Sequence, residues 1–211
     1  MFSSFIDQLK IQLTLPLPGE EAQFEMAHLN RERKSLKKEN LNQYKISAVL
    51  LFIYPDENNA PTFLLIQRPT YDGFHSSQIG LPGGKLEPTD IDIASAALRE
   101  FKEEIGCEEV PNLIGECSEI FIPVSNFIVH PFVGYLDYKP IFKPDEREVA
   151  EIIECKIETL LNPEIIKETI VKPQPTLSFK TPYFDIENKV VWGATAMILN
   201  EFKAIALNSF K

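Results

Sequence analysis

Residues 81–107 read LPGGKLEPTDIDIASAALREFKEEIGC, and this stretch decides the fold. Its second half predicts a helix over about 90–105, because apolar residues recur at helical spacing and Gly106 follows as a C-terminal glycine. On a helical wheel, one apolar stripe should pack on a sheet: Ile91, Ala94, Leu98, Phe101 and Ile105. The stretch therefore predicts a glycine turn followed by an amphipathic helix.

Three glutamates lie on the opposite side of this predicted helix: Glu100, Glu103 and Glu104. Like charges at these spacings repel by about 0.2–0.5 kcal/mol per pair, and a divalent cation would relieve that repulsion. Several hard oxygen ligands on one rigid face suit Mg²⁺ or Mn²⁺. Taken alone, the glutamates favour a solvent-exposed acidic face. The two glycines beside them allow close backbone approach to a ligand, and this context favours a metal site.

The order of glycine pair, helix and carboxylates resembles the Nudix hydrolase box, G-x5-E-x7-R-E-U-x-E-E-x-G-U, in which U is a bulky aliphatic residue. Residues 99–107 match its second half. The first half is one residue longer here and lacks the first glutamate, which Asp90 or Asp92 replaces. In the family, that residue helps to hold loop and helix together. The resemblance implies an α/β fold of the Nudix type, an α/β/α sandwich with a mixed β-sheet.

The same resemblance implies a metal site that hydrolyses a diphosphate linked to a nucleoside. Four groups would hold the Mg²⁺ or Mn²⁺: the Gly84 carbonyl, Glu100, Glu103 and Glu104. Arg99 would orient those carboxylates through bidentate hydrogen bonds. The catalytic base is either Glu103 or Glu148, and Glu148 is equally well interpreted as an exposed strand-edge carboxylate.

The longer first half of the box resembles the coenzyme A pyrophosphatase branch, which has P-G-G-K-x-[DE]-P-x-D-x-D before A-L-R-E. Residues 82–92 and 97–100 match these segments. The box and the branch's upstream signature together supply the candidates for substrate binding: Arg68, His75, Gln78 and Lys85. Gly73 stands where the branch has an arginine, which removes one candidate phosphate ligand.

Coenzyme A or acyl-CoA is therefore the leading substrate, giving (acyl-)phosphopantetheine and adenosine 3′,5′-bisphosphate. Two other functions remain open. One is a Nudix hydrolase of ADP-ribose or another nucleotide, and the other is a non-catalytic nucleotide-binding Nudix module.

Composition narrows the class of protein. The chain has 211 residues, with 21 Lys and Arg against 31 Asp and Glu, a net charge of −10 and a pI of about 4.9. This charge disfavours nucleic-acid binding, and neither a signal peptide nor an apolar run of membrane-spanning length is visible. The three cysteines form no CxxC pair, which fits a reducing compartment. We expect a cytoplasmic protein that binds a small nucleotide-type substrate rather than nucleic acid or a membrane, with a homodimer as a possible assembly.

Hydrophobic patterning predicts an N-terminal helical and polar extension over residues 1–40, and a Nudix hydrolase domain over residues 41–211. Within the domain, predicted strands lie at 46–54, 62–67, 112–122, 128–138 and 148–155. A short helix at 159–167 and a proline-rich loop at 173–182 should follow. A last hairpin at 183–185 and 190–192 should precede a helix over 194–207.

Overall fold

The structure is a computed structural model that describes residues 1–28, 31, 43–69, 78–174 and 177–210. Its helices are α1 (Phe2–Leu13), α2 (Gly19–Phe24), α3 (Ile93–Ile105), α4 (Ile157–Leu161) and α5 (Gly193–Leu207). Its strands are β1 (Lys45–Pro55), β2 (Pro61–Gln67), β3 (Ile79–Gly80), β4 (Gly83–Lys85), β5 (Asn112–Glu116), β6 (Ile120–Ile122), β7 (Phe127–Tyr135), β8 (Glu151–Lys156), β9 (Ile166–Gln174), β10 (Leu177–Ile186) and β11 (Lys189–Val191). No helix in these ranges has the length and apolar character needed to cross a membrane.

Strand β1 is the centre of the main sheet. It pairs in parallel with β7 on one edge, and antiparallel with β2 and β4 on the other. The strand order is β3-β2-β1-β7-β5, with β4 on β1, β6 on β7 and β8 on β2. Both faces of β1 are covered, so its apolar run is fully buried from residue 50 to residue 54. This mixed sheet between helical layers confirms the predicted α/β/α architecture, and β1 and β2 pair as antiparallel strands.

Alternate residues of β1 belong to two separate cores. Leu50 and Phe52 pack in the cluster that contains Phe101 of α3. Leu51 and Ile53 pack in the larger cluster that contains Phe202 of α5. The period of two along the strand therefore fixes which helix lies on which face of the sheet.

Helix α1 lies on the same side of the sheet as α5. The four apolar residues that share its helical face are all no more than 2% exposed: Phe2, Phe5, Ile6 and Leu9. They belong to the larger core cluster, and Gln23 of α2 donates a hydrogen bond to buried Glu201 of α5. The N-terminal helix is thus built into the core, while the predicted boundary near residue 40 stays a prediction.

The region after β8 differs from the sequence prediction. The predicted helix at 159–167 is instead α4, which ends at Leu161, followed by a 3-10 turn at Pro163–Ile165 and by β9. The predicted loop at 173–182 is wrong at its C-terminal end, because β10 begins at Leu177 and forms a three-stranded sheet with β9 and β11. Pro182 lies within β10, opposite Glu168 of β9 and before the residues 184–186 that pair with β11. The predicted hairpin at 183–192 and the helix over 194–207 are confirmed.

Helix α1 should contribute to global stability through its buried face. We expect Leu9→Ala to lower the free energy of unfolding by about 2–5 kcal/mol, because Leu9 is fully buried. The matched control is Ile11→Ala in the same helix, where the side chain is 52% exposed and the expected loss is below about 1 kcal/mol. Urea unfolding monitored by far-UV circular dichroism measures both. Equal losses for the two variants would show that α1 is not part of the cooperative core.

Candidate active site

The two glycines of strand β4 support the carboxylates of helix α3. A Cβ on Gly83, whose φ is +150°, would lie 2.3 Å from the carbonyl oxygen of Ala48, so the backbone approach requires glycine. The Gly83 amide donates a 2.8 Å hydrogen bond to Glu104 Oε2. A Cβ on Gly84 would lie 2.3 Å from Glu100 Cδ. The two glycines therefore allow the carboxylates of Glu100 and Glu104 to lie directly against β4.

Helix α3 is rotated relative to the predicted wheel. It begins at Ile93, and Ile91 lies before it at 95% exposure. The buried face instead carries the residues Ala96, Ala97, Phe101, Glu104 and Ile105. The prediction that Ile91 packs on the sheet, and that Glu104 lies opposite the packed face, is wrong. Ala96 and Ala97 are small enough to let the helix pack closely on β1.

Glu104 is a buried carboxylate, with only 1% of its surface exposed. Besides the Gly83 amide, its Oε1 atom faces Arg68 Nη2 at 3.4 Å. Burial raises the pKa of Glu104 to about 7, although Arg68 and the Gly83 hydrogen bond act to lower it. A proton and a cation therefore compete for this group near neutral pH.

Arg99 connects the loop before α3, strand β4 and two glutamates of α3. Its guanidinium donates to both carboxylate oxygens of Asp90, at 2.9 and 3.1 Å, and to the Lys85 carbonyl at 3.1 Å. Its Nη1 atom donates to Glu100 Oε1 at 2.9 Å and to Glu103 Oε2 at 3.0 Å. The hydrogen bonds from Arg99 hold the pKa of Asp90 below its usual value. Arg99 thus lies where it can orient the carboxylates, but its bidentate pair is with Asp90, and its role stays a prediction.

The two aspartates proposed to replace the first box glutamate have different places. Asp90 accepts from Arg99 and from the Glu87 amide, so it joins the loop to the helix. Asp92 is the N-cap of α3 and forms a capping box with Ser95. Of the two alternatives, Asp90 has the contacts that hold loop and helix together.

Glu148 lies beside the carboxylate cluster, in a turn rather than on a strand edge, because β8 begins only at Glu151. The turn is anchored to the end of α3, since the Asp145 amide donates to the Glu104 carbonyl at 3.1 Å. The negative charge of Glu148 contributes to the raised pKa of both Glu100 and Glu104. The structure therefore brings together residues 44 positions apart in sequence, a contact that only the resemblance could suggest.

The other predicted substrate-binding residues flank this cluster. Arg68 follows β2, and its amide donates to the Gln78 carbonyl at 3.0 Å, next to β3. Lys85 at the end of β4 is exposed, and its carbonyl is held by Arg99. His75, together with Gly73, lies outside the described residues.

The chemistry of the carboxylates fits a divalent cation, although within the described ranges no three His, Cys, Asp or Glu side chains form a preassembled metal cluster. Glu100 and Glu103 share the Arg99 guanidinium, and Glu104 faces Arg68. Only hard oxygen donors are present, as Mg²⁺ and Mn²⁺ prefer. Burial first, and nearby negative charge second, raise the pKa of Glu100 and of Glu104, and a cation would offset both effects. The metal assignment itself stays a prediction.

Comparisons with known proteins identify the family of the chain. The model of the NUDIX domain family matches residues 44–174. An uncharacterized Nudix hydrolase, NudL, of Pectobacterium atrosepticum is 32% identical over 167 residues, which cover 76% of this chain and 82% of the relative. NudL of Escherichia coli O1:K1 / APEC, also uncharacterized, is 30% identical over 177 residues, covering 80% of this chain and 86% of the relative.

Two solved structures share the fold at low sequence identity. A MutT/nudix family protein from Enterococcus faecalis has a TM-score of 0.51 at 13% identity, covering 89% of this chain and 73% of that one. RenU, a Nudix hydrolase from M. smegmatis, has a TM-score of 0.50 at 13% identity, covering 78% and 86%. At these identities the likeness shows the fold alone.

The raised pKa of Glu104 predicts a pH-dependent stability in the metal-free protein. The folded state keeps the proton of Glu104 up to about pH 7, whereas the ordinary pKa of a glutamate is 4.5. Its contribution to stability is therefore fully present below about pH 4.5 and is lost as the pH rises through 7. The whole loss is about 3 kcal/mol at most. As the pH rises from 4.5 to 8.5, we expect the free energy of unfolding of the wild type to fall by that amount relative to that of Glu104→Gln.

Urea unfolding with EDTA, at steps across that pH range, measures this difference. Glu103→Gln is the matched control, because the Glu103 side chain is 57% exposed on the same helix. A wild-type-minus-Glu104→Gln difference that stays flat with pH would contradict the raised pKa.

Proposed function

The chain belongs to the Nudix family and is a Nudix hydrolase, and from that premise we propose that it hydrolyses the diphosphate of coenzyme A or acyl-CoA with Mg²⁺ or Mn²⁺. The products are (acyl-)phosphopantetheine and adenosine 3′,5′-bisphosphate. One observation carries the proposal. The carboxylates of Glu100 and Glu104 lie against the Gly83–Gly84 turn, with Glu103 beside them on the same helix. This is a compact oxygen-donor face at the point where the family box predicts one.

A diphosphate resists hydrolysis because water must approach phosphorus through a shell of anionic oxygens. A bound divalent cation supplies charge neutralisation, a polarised P–O bond and a bound water of lowered pKa. The residues proposed to hold it are the Gly84 carbonyl, Glu100, Glu103 and Glu104. Water adds its oxygen to one phosphorus, the bridging P–O bond breaks, and the bridging oxygen leaves with the other phosphate. The proton of the attacking water passes to a carboxylate of the protein.

Two carboxylates compete for that proton. Glu103 accepts a hydrogen bond from Arg99, so one of its carboxylate oxygens is already engaged. Glu148 is exposed, and its charge affects the pKa of both Glu100 and Glu104. We therefore assign the base to Glu148 and a metal-ligand role to Glu103. Arg99 then orients the carboxylates, a role supported by its contacts with Asp90 and the Lys85 carbonyl.

The coenzyme A assignment rests on sequence resemblance in the box and in the segment before it. Arg68 supports it, because its guanidinium lies beside Glu104, where a diphosphate bound at the metal site would be within reach. Gln78, Lys85 and His75 are the further proposed substrate contacts. Gly73, in place of an arginine, leaves this binding region with one cation fewer than the branch pattern has.

A substrate panel tests the proposal. The purified protein is incubated with Mg²⁺ or Mn²⁺ and with coenzyme A, ADP-ribose or a diadenosine polyphosphate, and products are identified by mass. We expect coenzyme A to give phosphopantetheine and adenosine 3′,5′-bisphosphate. Turnover of another diphosphate alone would keep the hydrolase and discard coenzyme A. Nucleotide binding without any turnover would identify a binding module.

Variants separate the proposed roles. Glu148→Gln should lower kcat by about 10²–10⁴-fold, as expected for loss of a general base, while Mn²⁺ affinity stays within about twofold. Glu103→Gln should lower Mn²⁺ affinity as well as kcat. The reverse pattern would assign the base to Glu103.

Gly84→Ala tests the contact between Gly84 of β4 and Glu100 of α3. The added Cβ would lie 2.3 Å from Glu100 Cδ, and the carboxylate can move away because it ends a flexible side chain. We therefore expect a drop in Mn²⁺ affinity of about 10- to 100-fold with little loss of thermal stability. Gly80→Ala is the matched control, since its Cβ would make only an ordinary 3.8 Å contact with Thr195 Oγ1. Calorimetric titration with Mn²⁺ measures both, and equal affinities would contradict the proposed ligand position.

A further inference from the structure

The two arginines of the site are held very differently. Arg99 makes five hydrogen bonds to three carboxylates and one carbonyl, at 2.9 to 3.1 Å. Among the residues that the structure describes, Arg68 Nη2 faces Glu104 Oε1 at 3.4 Å. Charge-assisted N–H···O bonds of good geometry measure about 2.7–2.9 Å, so the Arg68–Glu104 contact is a loose one. Arg99 is therefore a fixed part of the framework, whereas Arg68 can leave Glu104 at little cost.

The position of Arg68 allows such a movement. Its backbone is anchored, because the amide donates to the Gln78 carbonyl. Its side chain is 35% exposed, while that of Glu104 is 1% exposed. The carboxylate is thus fixed and buried, and its counterion sits on a long side chain that reaches solvent. A side chain of this kind can turn outward without disturbing the sheet.

A divalent cation would be a stronger partner for Glu104 than Arg68 is. Mg²⁺ approaches oxygen ligands to about 2.0–2.1 Å and carries two charges, so its attraction exceeds that of a guanidinium at 3.4 Å. The metal and the guanidinium would also repel each other at this separation. Binding of the ion and retention of the Arg68–Glu104 contact therefore oppose one another.

We propose that Arg68 is the counterion of Glu104 in the metal-free protein, that a divalent cation replaces it, and that the released guanidinium then binds a phosphate of the substrate. The metal-ligand role of Glu104 and the diphosphate substrate rest on the proposed function. Metal loading prepares the anion site as well as the reacting centre. An acidic protein of net charge −10 gains a free cation for its anionic substrate only when the metal is present to keep Glu104 neutralised.

The first test measures Mn²⁺ alone, by anaerobic calorimetric titration at pH 8.5, where Glu104 is ionised. We expect Arg68→Gln to bind Mn²⁺ about tenfold more tightly than wild type, because the competing cation is gone. Lys102→Gln is the control, since it removes one positive charge from α3 at a side chain that pairs with Glu108. Unchanged or weaker Mn²⁺ binding by Arg68→Gln would overturn the exchange.

The second test needs no metal and no turnover. Methylenediphosphonate, a diphosphate mimic that water cannot cleave, is titrated into protein in EDTA. Glu104→Gln should bind it about tenfold more tightly than wild type, because Arg68 has lost its partner. Glu103→Gln, which removes the same charge from a side chain bonded to Arg99, should gain clearly less. The double variant Arg68→Gln/Glu104→Gln should lose the gain.

An equal gain in Glu103→Gln, or a gain that persists without Arg68, would overturn the release of Arg68 to phosphate. Circular dichroism of each variant establishes that it is folded. Both titrations report binding alone, so a protein that passes them but hydrolyses no diphosphate would retain the exchange and refute the proposed function.

Discussion

The hydrogen bond from the Gly83 amide to Glu104 is the contact on which the site depends. It joins strand β4 to helix α3 inside the protein, and it requires a backbone position that only glycine can occupy beside Ala48. Because β4 also pairs with β1, the same contact fixes the helix to the centre of the sheet. Glu100 then lies against Gly84, and Arg99 donates a hydrogen bond to the carbonyl of Lys85, the next residue of β4. The remaining carboxylates are placed by this one junction.

Much of this arrangement could be predicted from sequence, because the box carries local information. Glycine spacing, helical periodicity and a terminal glycine specify the close backbone approach and the helix, and the continuous apolar run of β1 specifies a strand covered on both faces. The rotation of α3 could not be predicted in the same way. Ile91 is more apolar than Ala96 or Ala97, yet close packing against a sheet selects small residues. Burial of Glu104 depends on a partner amide contributed by another strand, which no helical pattern contains.

The loop predicted for the proline-rich segment after β8 was wrong for a related reason. Prolines at 173, 175 and 182 indicate a loop when each is considered by itself. A strand can nevertheless include proline, as β10 does at Pro182, which lies opposite Glu168 of β9. Which amides need partners is a property of the assembled sheet. Sequence predicts elements well where local propensity decides, and less well where pairing does.

Two buried glutamates show how the same side chain can serve structure or chemistry in one fold. Glu201 of α5 is fully buried and accepts from the Gly19 amide, the Ser118 amide and Gln23, at 2.8 to 3.1 Å. Its two oxygens are well satisfied by fixed donors, so it ties the N-terminal segment to the C-terminal helix. Glu104 is nearly as buried, and among the described residues it accepts from the Gly83 amide and, at 3.4 Å, from Arg68. A buried carboxylate is costly unless its partners are strong, and a bound ligand can supply what fixed donors do not. The two glutamates therefore differ in their partners rather than in their burial, and this difference supports the ligand role proposed for Glu104.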